Sequence, residues 1–339
     1  LFFSFPSYER LFSENITNWD ALFHQAAHPF ENNNYDASSH QSKMTFRLFV
    51  PLLVRLFHLN TISMIAVEFL FGIATVYLFI KTILSITNNK TIAVILTLAF
   101  SSTAICKNPF NDIGGFFDGI ALFFLIIPFA FSNPLLIFSS VFLSTWIDER
   151  ALISSALIFV WILVKENNNK LVKTAALFCA WIFYILVRFF LVHHFHLVTH
   201  TGAVGLSMLL NQLNNAPLGI WTGLEGFWLL IILSFIVLFK QDKKMIAFLF
   251  LAGIGIIALV ALSVSDITRS MIYLFPSIFI ALSIIKNVET EKNLIYITTF
   301  VLLLCIILPQ LTVGGYNSVN WQYPLPVQLL RYLANSLMS

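Results

Sequence analysis

PLLIFSSVFLSTWIDERALISSALIFVWILV, residues 134–164, holds the choice on which the architecture turns. Two apolar runs of 14 residues flank Asp148, Glu149 and Arg150. As a helix each run is only about 21 Å long, short of a roughly 30 Å hydrocarbon core. Read as one continuous span, the stretch sets three adjacent charges in mid-membrane at about 2.5–3.5 kcal/mol apiece. Read as a hairpin, it turns at those charges and leaves them at a tip facing water or a polar cavity. Energy favours the hairpin, which also fixes the side on which every later loop falls.

The same grammar of apolar runs and short polar breaks extends over the whole chain. Of 339 residues, 58% are hydrophobic, 10% are charged and 36 are Phe, which excludes a soluble globular domain. The expectation is an all-α polytopic bundle, residues 1–339 forming one membrane domain. Its helices fall near 48–80, 91–106, 116–132, 134–147, 151–164, 174–192, 222–239, 245–264, 270–286 and 294–311, about ten in all. The chain starts at Leu1 without an initiator Met, so a further upstream helix is expected. Cys106, Cys179 and Cys305 sit singly in apolar runs and read as packing residues. A net charge of +3 spread over many loops argues against a nucleic-acid surface.

Lysine sets the topology. Lys81 and Lys90, then Lys165, Lys170 and Lys173, then Lys240, Lys243 and Lys244, and finally Lys286 and Lys292 occupy alternate loops, which the positive-inside rule makes cytoplasmic. The opposite face receives an extracytoplasmic loop at 13–47, together with 107–115, the 146–150 turn, 193–221, 265–269 and the tail after 311. Every Arg lies near that face or within an apolar run, as expected where position matters more than topology.

Four polar groups on that face invite chemistry. In the first, a helical 36–47 segment would align His40, Lys43 and Arg47 at spacings of three and four, suited to a phosphate; a merely solvated amphipathic segment is the plainer reading. Asp112 lies in a Gly- and Pro-bearing turn, whereas Asp118 starts an apolar run and needs an Arg, a cation or a lined cavity as partner. Asp148, Glu149 and Arg150 form the third. Asp266 and Arg269, one helical turn apart, either neutralise each other or leave Arg269 to hold a phosphate. His196 and His200 have i,i+4 spacing but no intervening Glu, so they read as interfacial histidines rather than a zinc site.

The stretch 35–48 (YDASSHQSKMTFRL) with Pro51, the Asp148-Glu149-Arg150 turn, and Thr268-Arg269 with Tyr273 and Pro276 together resemble the GT-C class of integral membrane glycosyltransferases. The resemblance implies transfer of a sugar from a polyprenyl-phosphate-linked donor to a glycan or lipid acceptor on the extracytoplasmic face. Its partners are then that donor, that acceptor and membrane lipids, with no nucleic acid. It makes Asp36 the general base, with Asp20 as the alternative, and adds His40, Asp148 and Glu149 as catalytic candidates. Lys43, Arg47, Arg150 and Arg269 would hold the donor phosphate. A divalent cation, Mg or Mn, would fall to Asp112 and Asp118, with Asp148 and Glu149 also in range. The Asn-, Lys-, Ile- and Phe-rich composition suits an AT-rich bacterial genome and hence a bacterial inner (plasma) membrane. Two other functions compete: a lipid or small-anion transporter or flippase, which would favour polar groups at mid-membrane depth and an internal repeat, and a non-catalytic scaffold.

Overall fold

A computed structural model describes residues 17–32, 35, 41–112, 114–165, 169–198, 204–308, 310–314, 318–322, 330 and 333–334. The described chain is a helical bundle. After α1 (Thr17–Ala27) and a 3-10 turn over Gln41–Phe46 come α2 (Phe49–Phe57), α3 (Thr61–Thr87), α4 (Lys90–Ser102), α5 (Ala104–Asn111), α6 (Asp118–Ala130) and α7 (Pro134–Thr145). Then follow α8 (Arg150–Ser154), α9 (Ala156–Val164), α10 (Lys170–Phe195), α11 (Leu206–Gln212), α12 (Ala216–Leu224), α13 (Trp228–Lys240) and α14 (Lys244–Leu262). The last helices are α15 (Ile267–Met271), α16 (Pro276–Lys286) and α17 (Glu291–Ile307).

Among the described residues five helical stretches are long and apolar enough to cross a membrane, or six if α4 and α5, bent by 65°, count as one. This makes a multi-pass membrane protein with fewer full-length spans than the ten expected, because α6 to α9 are short and α4 and α5 bend apart; elsewhere the helix bounds differ from the expected ones. The expected 48–80 helix is broken at His58, whose left-handed φ of 51° ends α2. Asn60 then caps α3, its side chain accepting from the Ser63 N–H while Ser63 returns the bond. The 222–239 run is part of a longer stretch interrupted at Glu225, and α6 to α9 remain too short to be full spans. The hairpin of 134–164 is present, its second arm split into α8 and α9. At the start of the tail, expected only as a loop, the described residues form an antiparallel pair, β1 (Gln310–Gly314) with β2 (Ser318–Gln322). Val313 N–H ties this pair to Thr268 Oγ1 at 2.9 Å, and Thr268 meets Thr222 at 2.7 Å.

Burial ranks the helices. The α15–α16 stretch is 89% buried and forms the centre, whereas α10 is 22% buried and lies at the periphery with an apolar face turned outward. Around α16 stack Phe79 on Phe100 at 4.1 Å, with Phe129 and Phe279 at 5.1 Å. At Gly119 a methyl group would come within 2.7 Å of the Pro109 Cα, so α5 and α6 touch backbone to backbone there.

The two ends of the bundle differ in charge type. At one, Lys81 lies 3.8 Å over the Phe131 ring, and Lys165 and Lys173 gather about Ser132 and Trp161. At the other are the starts of α6, α8 and α15. Arg188, eighteen residues after Lys170 and therefore about 27 Å along α10, reaches this second end.

Candidate functional site

The second end is assembled from the turn after α5 outward. The Asp112 carboxylate accepts backbone N–H groups from Gly114 at 3.1 Å, Phe116 at 3.0 Å and Phe117 at 2.7 Å. With Phe117 in the left-handed region at φ 64°, the turn delivers Asp118 to the first position of α6, fully buried. A carboxylate at a helix N-terminus gains from the orphan amides there. Asp118 Oδ1 accepts from Arg150 Nη2 at 2.7 Å and from Tyr273 OH at 3.2 Å, and Oδ2 accepts from Arg269 Nε at 2.7 Å.

The hairpin tip supplies the next links. Asp148, also fully buried, accepts at Oδ1 from Arg150 Nε at 2.8 Å and at Oδ2 from Arg150 Nη2 at 2.6 Å; Arg47 Nη2 lies 3.0 Å from the same Oδ2. Arg47 Nε reaches Glu149 at 3.3 Å, and Glu149 in turn lies 4.0 Å from Arg188 Nη1. At the far side Arg269 Nη1 meets Asp266 at 3.1 Å. The result is one alternating row: Arg188, Glu149, Arg47, Asp148, Arg150, Asp118, Arg269, Asp266. Aromatic rings floor it, with Phe116 3.7 Å from the Arg269 guanidinium and Phe46 4.2 Å from that of Arg188. Ser270 Oγ accepts from Arg150 Nη1 at 2.8 Å.

Two donors in the row are buried without a partner, Arg47 Nη1 and Arg269 Nη2. A buried unpaired donor is costly, and it marks a place where an acceptor is wanted. Beside the row a cavity of about 270 Å³ opens laterally between α8, α9, α10 and α14, lined by Leu152, Ile153, Ala156, Trp181, Ile185 and Gly253. Ile185 is three residues before Arg188 on α10, so the apolar cavity runs up toward the end of the charged row.

Burial alone would raise the Asp148 carboxyl, but the Arg150 and Arg47 guanidiniums outweigh it and hold this group well below the usual carboxylate range. Its stabilising contribution is therefore complete above the unfolded value and lost only in strong acid. Asp112 behaves oppositely. Burial pushes it up to about 6 from 3.8, despite the pull of Arg269 and its backbone donors. Because the folded chain holds that proton more tightly, stability falls as pH rises from about 4 to about 6 and then levels. Unfolding midpoints measured across this window should show that decline in the wild type, and a flatter profile in Asp112→Asn. An equal slope in both proteins rules Asp112 out as its source.

Seven of the residues singled out from the sequence meet in the row: Arg47, Asp118, Asp148, Glu149, Arg150, Asp266 and Arg269. Asp36 and His40 lie outside the described residues. Lys43 sits on the 3-10 turn over Gln41–Phe46, where helix was expected, partly buried and with no ion pair in the row. Asp20 is exposed on α1. As for a cation, Asp118 is engaged by two guanidiniums and Asp112 by backbone amides, and among the described residues no group of three His, Cys, Asp or Glu side chains is arranged around a metal position. Sequence reading missed Arg188 and Ser270, and quoted Tyr273 only as part of the resemblance, with no role at the site. A charge inside the apolar run 174–192 was the available signal for Arg188; nothing local marks Ser270. No family model, curated protein or solved structure matches the chain.

Proposed function

We propose that this chain is an integral membrane glycosyltransferase that moves a sugar from a polyprenyl-phosphate-linked donor to a glycan or lipid acceptor on the extracytoplasmic face of a bacterial inner membrane. The observation that carries the reading is the meeting of buried guanidinium N–H groups lacking acceptors, on Arg47 and Arg269, with a charged row bordered by an apolar cavity open to the side. A lipid-borne phosphate suits that pair of features: its chain belongs in the cavity, and its oxygens accept from the waiting donors. As the sugar leaves, negative charge grows on the phosphate, and fixed guanidiniums stabilise it without reorganising. The acceptor hydroxyl must lose its proton while attacking the anomeric carbon, a role for Asp36. The lysine-rich end is then cytoplasmic.

Surface glycans and glycolipids are to be compared by intact mass in cells lacking the protein, restored with wild type, or restored with equally expressed Asp36→Asn. The expected result is one sugar increment missing in the deletion, regained with wild type and still missing with Asp36→Asn. Unchanged masses in all three strains remove the basis for glycosyl transfer. A lipid or small-anion transporter then becomes the better reading, favoured by a carboxylate buried inside α3.

A further inference from the structure

That carboxylate is Glu68, seven residues into α3 and so about 10 Å along the helix from its start. Lys81 marks the lysine end of the same helix, which places Glu68 nearer the end that carries the arginine row. Its side chain is 1% exposed, and neither carboxylate oxygen has a hydrogen-bond partner.

The helices packed on α3 are α4, α5, α6 and α16. They carry Lys90, Cys106, Lys107, Asp118 and Lys286, and Asp112 follows α5. Lys90 and Lys286 belong to the lysine end. Lys107 is engaged electrostatically with Glu225. The charged groups that act on Glu68 are Asp112 and Asp118, both negative.

The three carboxylates thus form a graded series. Asp118 has two guanidiniums, Asp112 has three backbone N–H donors, and Glu68 has neither cation nor donor. An ionised carboxylate in that last position carries the full cost of desolvation with nothing to offset it, and the repulsion of two neighbours besides. The neutral acid avoids both. It also gains an O–H donor, and α5 holds a buried acceptor without a partner, Asn108 Oδ1. A metal ion asks for several ligands; a proton asks for one.

We propose that Glu68 is a proton-binding site inside the membrane-embedded bundle, occupied at neutral pH. The site is a property of α3 and its neighbours and does not depend on what the arginine row transfers.

Infrared spectra of the purified full chain in lipid nanodiscs test this directly. The comparison is wild type against Glu68→Gln, with Asp112→Asn as a control. At pH 7 the wild-type minus Glu68→Gln difference should contain the C=O stretch of a protonated carboxylic acid, moving to lower frequency in D2O, and no carboxylate stretch. The same band should persist in Asp112→Asn. Because Gln matches the neutral acid in shape and charge, Glu68→Gln should melt at the wild-type temperature or above. Carboxylate stretches in the difference spectrum overturn the proposal. So does a lower melting temperature, or a failure of Glu68→Gln to fold, since either means an ionised Glu68 held by a counter-ion.

Discussion

Replacing Asp118 by asparagine lowers the stability of the folded chain by roughly 3–5 kcal/mol, the cost of removing one member of a buried ion pair and stranding the rest. Asp118 is the joint of the charged row, since each of its oxygens takes a different guanidinium at 2.7 Å. Asparagine keeps the shape but not the charge, and its amide nitrogen faces a cation. Arg150 retains Asp148, whereas Arg269 is left with the partly exposed Asp266. Unfolding by denaturant or heat in a fixed detergent or nanodisc measures the loss. A change below about 1 kcal/mol, the scale of a surface pair, means that the row is not held together by charge.

Arg150→Lys keeps the charge and still disrupts the row. Arg150 uses Nε and Nη2 on the two oxygens of Asp148, Nη2 again on Asp118, and Nη1 on Ser270. An ammonium is a single point on a flexible stem and cannot reproduce that fork. With charged hydrogen bonds worth about 1.5–3 kcal/mol each, a net loss of about 3 kcal/mol is expected after partial rearrangement. On the glycosyltransferase reading, transfer measured with a lipid-linked donor falls by on the order of 100-fold or more, as when a preorganised donor is removed. Arg188→Lys is the matched comparison. At 30% side-chain exposure and 4.0 Å from Glu149, Arg188 sits where a lysine can still reach, and stability should change by less than about 1 kcal/mol. Equal losses in the two variants contradict the geometry given for Arg150.

How much of this was legible in the sequence depended on whether a residue's neighbours in the chain constrained it. The hairpin of 134–164 could be read because three adjacent charges in an apolar run leave few affordable placements. Asp118 could be marked as needing a partner because a carboxylate opening an apolar helix is expensive alone. That the partners are Arg150 and Arg269 could not be read, since they lie 32 and 151 residues away. Asp266 and Arg269 were legible as an i,i+3 pair, which is what forms, while Arg269 also reaches Asp118. Glu68 was hidden by averaging: one carboxylate in a 27-residue apolar helix barely alters its hydropathy. The β1–β2 pair was missed although Thr312, Val313 and Val319 flank Gly314 and Gly315, because apolar periodicity dominated the reading of that region. The number of full spans was overestimated for a related reason. Hydropathy reports where apolar residues run, but not that the helices over 118–130, 134–145 and 150–164 end short of a full span, or that the run over 91–106 bends by 65° after Ser102.

The brevity of α6 and α7 has a consequence for the bilayer itself. With 13 and 12 residues they measure about 20 and 18 Å. Their shared turn at Phe131 lies beside the lysines, so with that turn at one headgroup layer the charged row stops about 10 Å short of the other. Where lipid meets this face, a hydrocarbon core of roughly 30 Å has to thin to match the short helices. Such thinning is an elastic deformation whose energy depends on acyl-chain length. Bilayer thickness thereby bears on the row itself: a thin bilayer matches the short helices beside it, and a thick one strains either itself or the helices that carry it.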